Sequence, residues 1–240
     1  MLSKSQIKLI TSLKQKKYRL QHGFFVVEGL KGIAELLNSE LELYQLYTTE
    51  SFEDKSEKEV LITAAELKKI SFLTTPNKAL ALFKIPKIKA IQTNGLVVAL
   101  DDVRDPGNLG TIIRLCDWFG VKELVCSKNT VDCFNPKVIQ ATMGSITRVN
   151  VSYLDLERFL ENQTMPVFGA FMEGENVYSS ALPEQGVLVM GNEANGISEA
   201  IENVITKKVS IPRFGDLQAT ESLNVATATA ILLSEFKRAK

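Results

Sequence analysis

Only three cysteines, Cys116, Cys126 and Cys133, occur in 240 residues, and their spacing fits neither a metal-ligand motif nor an even disulfide framework. They read as small reduced core residues of a cytosolic protein, with no redox role. The N-terminus lacks the continuous apolar stretch of a signal peptide, and no run approaches the roughly 18 apolar residues of a membrane span. The expectation is a cytoplasmic chain with no membrane partner. No G-x-G-x-x-G or other phosphate fingerprint is present, which argues against a nucleotide-binding oxidoreductase or a kinase-like domain. Internal repeats and low-complexity segments are absent too.

Net charge is also missing, but the zero is a cancellation. Residues 1–93 hold 15 basic and 10 acidic side chains, whereas residues 94–240 hold 13 and 18. Lys4, Lys8, Lys14, Lys16, Lys17 and Arg19 all precede the first acidic residue, Glu28. Such a block fits phosphate neutralisation, with a solvated helix face as the alternative. Ile7, Leu9, Ile10 and Leu13 recur at helical spacing among these cations, so residues 5–20 are expected to form one amphipathic helix with a free charged face.

What is present is ample apolar sequence, 45% of the chain, enough for a sizeable core. Strands are expected at 24–27 and 43–48, helices at 30–37 and 64–70, and an extended segment at 79–85, together a small α/β unit. Residues 84–94, with Pro86 and three lysines, read as a linker. The run LVVAL at 96–100 then has the character of a strand buried on both faces of a parallel sheet. Further strands are expected at 123–126, 148–151, 167–171, 187–190 and 208–211, alternating with helices at 110–119, 136–143, 154–162 and 221–238. The alternation predicts a parallel α/β sheet with helices on both sides. The expected domains are 1–93 and 94–240.

Three blocks of the second half carry the polar residues that chemistry needs. DPGNLGTIIR (105–114) is a turn followed by Asn108 as a candidate N-cap and a helix from which Arg114 projects away from Ile112 and Leu115. Read alone it is a site, a capped surface helix, or a phosphate-binding turn. VMGNEANGIS (189–198) ends an apolar strand in Gly191 and Gly196 with Glu193 between them, which permits close backbone approach to a ligand or serves as a capped loop. The third block, 211–233, leaves a strand at Pro212 and enters a helix at Ser222-Leu223-Asn224, where capping also explains Ser222 or Asn224.

Taken in order with NPKVIQATMG (135–144), these blocks resemble the signatures of the SpoU/TrmH family of RNA 2′-O-ribose methyltransferases, within the SPOUT superfamily. The likeness spans about residues 96–240, and the basic N-terminal segment resembles the substrate-binding domain often fused ahead of that catalytic domain. It implies a C-terminal trefoil-knotted parallel-sheet α/β methyltransferase domain behind a smaller N-terminal α/β RNA-binding domain. A homodimer, S-adenosylmethionine as cofactor and an RNA substrate are implied too, with ribosomal RNA favoured over transfer RNA. A non-methylating RNA-binding or assembly protein on the same scaffold is the alternative. Periodicity alone predicts no knot.

Carried over by motif, Asn108, Arg114, Glu193, Ser222 and Asn224 are the catalytic candidates. Gly191, Ile211 and Leu223 fall on cofactor-contact positions, with Gly169, Asn192 and Gly196 as neighbours. Lys14, Lys16, Lys17 and Arg19 are the candidates for RNA phosphates, and no metal is implied. A guanidinium with a pKa above about 12 is a poor base at neutral pH. Arg114 is therefore expected to hold the target phosphate and stabilise developing oxygen charge. One departure stands out: residues 213–221 make a loop longer than the family's, with Arg213 where an apolar residue is usual.

Overall fold

The computed structural model describes residues 1–51, 57–215 and 222–238. In chain order the elements are α1 (Lys4–Ser12), α2 (Lys16–His22), β1 (Phe24–Glu28), α3 (Leu30–Leu37), β2 (Leu43–Thr48), β3 (Glu59–Leu61), α4 (Ala64–Ile70) and β4 (Ala79–Lys84). There follow β5 (Leu96–Leu100), α5 (Pro106–Trp118), β6 (Glu123–Ser127), α6 (Pro136–Thr142), β7 (Asn150–Leu154) and α7 (Leu156–Glu161). The last are β8 (Val167–Asn176), β9 (Gly186–Met190), α8 (Glu199–Glu202), β10 (Lys207–Ser210) and α9 (Val225–Lys237). Two compact units result, one of Met1–Ile88 with Asp132–Thr147, the other of Lys89–Val131 with Arg148–Lys240.

The first unit is built on a four-stranded sheet of order β1-β4-β2-β3, antiparallel except for the β2–β3 pair. Its strands alternate inward residues to two cores. Val26, Tyr47, Leu80 and Leu82 face Ile10, Leu13, Leu67 and Ile70, while Phe25, Val27, Ala81 and Phe83 face Ile33, Leu36 and Ile139. Burying each large apolar side chain contributes about 1.5–3 kcal/mol, so both faces hold the sheet.

Two expectations change here. The single helix over 5–20 is two, because Leu13 caps α1 and the backbone of Gln15 is extended before α2 starts. The Ser3–Gln6 capping box that opens α1 cannot extend its ladder across that break. The break also turns Arg19 inward. Its guanidinium is 2% exposed. It donates to Asp132 Oδ2 from Nε (3.0 Å) and Nη2 (2.5 Å), and from Nη1 to the carbonyls of Leu13 and Lys14 (2.8 and 3.0 Å). With its donors committed inside the unit, Arg19 is not a side chain for phosphates; Lys14, Lys16 and Lys17 are exposed.

The block 135–144 also belongs to this unit. Asn135 caps α6 by accepting from Lys137 N, Pro136 occupies its first turn, and Ile139 and Phe134 pack against the Phe25 face. Strand β3, three residues long, was too short to show an alternation in the sequence.

The second unit carries six strands in the order β10-β8-β9-β5-β6-β7, all parallel. Every residue of β5 and β9 is buried, as the apolar run 96–100 predicts for a strand covered on both faces. Helix α9 anchors its end on the sheet through Phe236, set edge-on to Phe168 at 5.1 Å. The three cysteines are buried, and burial pushes the Cys116 thiol up to about 12, which keeps it an inert apolar filler. The strand expected at 148–151 begins only at Asn150, because a 3₁₀ turn at Ser145–Thr147 and the turn after it take up the backbone before it. Helix α8, four residues long, escaped notice for the same reason as β3. Among the described residues no helix is long and apolar enough to cross a membrane.

Candidate active site

In an open parallel sheet, ligands bind beyond the carboxyl ends of the strands, where the strand order reverses. That reversal falls at the β5–β9 border, since β6 and β7 lie to one side of β5 while β9, β8 and β10 lie to the other. The residues that follow β5 and β9 are tied together there. Asn192 Nδ2 donates to the carbonyl of Asp102 at 2.6 Å, and Ser198 N donates to the buried carboxylate of Asp101 at 2.8 Å.

Asn192 also shapes its own turn. Its Oδ1 accepts from the backbone N–H groups of Ala194 and Asn195, at 2.9 and 3.1 Å, and its backbone pairs with that of Gly196. Glycine is required at 191, where a Cβ would lie 2.3 Å from the carbonyl carbon of Gly196.

Against this turn opens a cavity of about 610 Å³, within the roughly 300–1,000 Å³ of small-molecule sites. Its wall includes Gly191, Asn192, Glu193, Gly196, Ile211, Ser222 and Leu223, seven of the sequence-derived candidates. Met172, Met190, Ile197 and Leu232 supply apolar surface. Met172 gets there because β8 bulges between Gly169 and Glu175 while β10 advances by one residue, from Lys208 to Val209. Gly169 is not in the wall. A Cβ there would sit 2.4 Å from Ile205 Cδ1 and 2.5 Å from Phe171 Cε2, so packing alone gives a reason for glycine at this position.

Two further candidates, Asn108 and Asn224, join the rim through one hydrogen-bonded chain that ends on Glu193. Asn224 is the N-cap of α9, its Oδ1 accepting from Ala226 N and Thr227 N at 3.0 and 3.2 Å. That cap fixes which end of the amide is free: Nδ2 donates to Asn108 Oδ1 at 2.9 Å. Asn108 must then present its own Nδ2, which donates to Glu193 Oε1 at 2.9 Å. Residues 108, 193 and 224, from three separate blocks, thus hold one another in a single orientation.

One expectation is corrected, and a second candidate stands apart from the chain. Asn108 does not cap α5. Asp105 does, accepting from Asn108 N at 2.8 Å, and with Pro106 in the first turn Asn108 lies inside the helix with its side chain free for the chain just described. Arg114 does not join this chain or the cavity wall. It is exposed on α5, on the stripe of Thr111 and Trp118, and makes no hydrogen bond or ion pair among the described residues. Of the longer loop, Arg213 lines the cavity, while residues 216–221 lie outside the described residues.

Sequence reasoning passed over Asp101, Asp102 and Arg104. Asp102 has a left-handed backbone at φ 58. It receives a forked pair from Arg104, Nε to Oδ1 and Nη2 to Oδ2, both at 2.8 Å. The signal was the charged run DDVRD between an apolar strand and Pro106.

A parallel α/β unit with a small-molecule cavity and a cross-braced Asn-Glu-Asn rim at its switch point defines a group-transfer or binding domain rather than a dinucleotide fold. The chain belongs to the SpoU rRNA methylase family, whose model matches residues 95–234; residues 4–81 match an MRM3-like substrate binding domain. It is 29% identical over 231 residues to the 23S rRNA (guanosine(2553)-2′-O)-methyltransferase RlmP of Bacillus subtilis, covering 92% of this chain and 91% of that one. A TrmH-family protein from Porphyromonas gingivalis superposes with a TM-score of 0.89 at 39% identity, over 99% of both chains. An AdoMet-bound rRNA methyltransferase from Sinorhizobium meliloti superposes with a TM-score of 0.86 at 27% identity, over 99% of this chain and 97% of that one.

Proposed function

We propose that this protein is an S-adenosylmethionine-dependent RNA methyltransferase that modifies a ribose 2′-hydroxyl of ribosomal RNA. The observation that carries the reading is the Asn224–Asn108–Glu193 chain set on the rim of the cavity at the β5–β9 switch point. The residues present fit the cofactor. Gly191 leaves room for its close approach to backbone, Ile211 and Leu223 offer apolar surface to a purine ring, and Asn192 holds the turn rigid. When bound, S-adenosylmethionine supplies an electrophilic methyl group on sulfur.

The chain's own residues supply position. Asn108 and Asn224, locked by the α9 cap, keep Glu193 in one place, and Ser222 offers a hydroxyl at the same rim. Holding reacting groups in register accounts for much of such catalysis. Arg114 is proposed to hold the target phosphate and stabilise charge on the attacking oxygen, acting in a homodimer formed through the C-terminal unit. Such a homodimer would cover Trp118, which is 84% exposed on the same stripe of α5 as Arg114. The trefoil knot, the cytoplasmic location and phosphate binding by Lys14, Lys16 and Lys17 belong to the same proposal.

The test is transfer of labelled methyl from S-adenosylmethionine to ribosomal RNA from a strain lacking the gene. Incorporation that disappears in Arg114→Ala is expected. Equal incorporation by the variant removes Arg114 from the mechanism, and none by the wild type overturns the reading.

A further inference from the structure

The connection from β5 to α5 reads Asp101-Asp102-Val103-Arg104-Asp105. Asp102, at φ 58, is held at three points: its N–H donates to Ser127 Oγ (2.9 Å), its carbonyl accepts from Asn192 Nδ2 (2.6 Å), and its carboxylate takes the fork from Arg104. A left-handed aspartate fastened this firmly does not swing. A surface ion pair on two mobile side chains would have no fixed direction, whereas this carboxylate gives the guanidinium one.

The fork uses only the Nε–Nη2 edge. The opposite edge, with both Nη1 hydrogens and the second on Nη2, has no partner among the described residues, and the side chain is 69% exposed. Two parallel N–H groups in one plane match the oxygens of a phosphate. The backing carboxylate belongs to the residue whose carbonyl is tied to Asn192, the organiser of the turn that walls the cavity. Next along the chain, Asp105 caps the helix that carries Asn108.

We propose that Arg104 is a phosphate-positioning residue: its free edge takes a backbone phosphate of the RNA substrate, and Asp102 fixes that edge relative to the cofactor turn. The assignment rests on the methyltransferase reading for the identity of its ligand.

The experiment measures binding of ribosomal RNA from a gene-deleted strain across a salt series, for the wild type, Arg104→Ala and Arg104→Lys. Calorimetry of S-adenosylmethionine binding is run on each. Expected for Arg104→Ala is affinity weaker by about tenfold, with the slope of log K against log salt shallower by about one, and with cofactor affinity unchanged. Arg104→Lys restores the slope but only part of the affinity, because an ammonium cannot fork. In turnover the KM for RNA rises while kcat is nearly kept.

RNA affinity and slope unchanged in Arg104→Ala overturn the proposal, as does cofactor affinity falling in parallel, which marks a merely structural role. A wild type that transfers methyl groups with Arg104 indifferent sinks this inference alone. A wild type whose RNA binding depends on Arg104 but which transfers no methyl sinks the methyltransferase reading instead.

Discussion

Arg19 and its neighbours Lys14, Lys16 and Lys17 share one short stretch of sequence and one sign of charge, yet they do different work. The lysines stay in solvent, while Arg19 turns inward and meets Asp132, 113 positions away. Polar residues of the second unit divide in the same way. Asn108 is cross-braced to Glu193 and Asn224, while Arg114, six positions further along α5, stands exposed. Charge or polarity in a sequence thus marks capacity, and the fold decides whether it is spent on structure or left for a ligand.

The sharpest way to break that comparison is to remove Arg19. Arg19→Ala leaves Asp132 and two carbonyls without their donor, and breaking a buried pair costs about 3–5 kcal/mol; a smaller loss in urea unfolding would place Arg19 with the lysines after all. Next in size is Asn108→Asp, which keeps the shape but sets a second carboxylate against Glu193. Methyl transfer should fall on the order of 10²-fold with little change in Tm, and activity near wild type would make the Asn224–Asn108–Glu193 chain a mere brace.

A smaller effect is expected from replacing Lys14, Lys16 and Lys17 together by Gln. Unfolding free energy should stay within about 0.5 kcal/mol, whereas the salt dependence of RNA binding should flatten by up to about three in slope. An unchanged slope returns these lysines to a simple solvated face.

The smallest effect concerns pH. Backbone N–H groups of Thr63 and Leu2 hold the Glu66 carboxyl down to about 2, from an ordinary 4.5. A depressed carboxyl stabilises the fold above its unfolded pKa and loses that contribution as pH falls through the folded one. Stability should therefore decline between pH 4.5 and about 2, and Glu66→Gln should flatten that part of the profile. An identical acid limb in the variant would remove Glu66 from the account.

Much of the fold was legible because the signals are local. LVVAL reads as a buried strand at sight, and β5 is that strand; the helices α3 and α4 lie at the predicted bounds. The elements that escaped, β3 and α8, are three and four residues long, too short for a period to repeat. The placing of Arg19 was illegible since its partner lies far along the chain.

The site was legible in part. Its residues could be named from the ordered family blocks, but that Asn108 bonds both Glu193 and Asn224 depends on separations of 85 and 116 residues. Asp105 took the cap that Asn108 was expected to fill, and that exchange is what freed the Asn108 amide for the site. Gly169 marked a real constraint on side-chain size, imposed by Ile205 and Phe171.

The central claim is tested most directly by where the methyl group lands. Ribosomal RNA methylated by the purified protein with labelled S-adenosylmethionine is hydrolysed in alkali, which needs a free 2′-hydroxyl to cleave each linkage. Label recovered in alkali-stable dinucleotides, and lost in Asn108→Asp, is the predicted result. Label released in mononucleotides would mean a base is methylated, and would contradict the account.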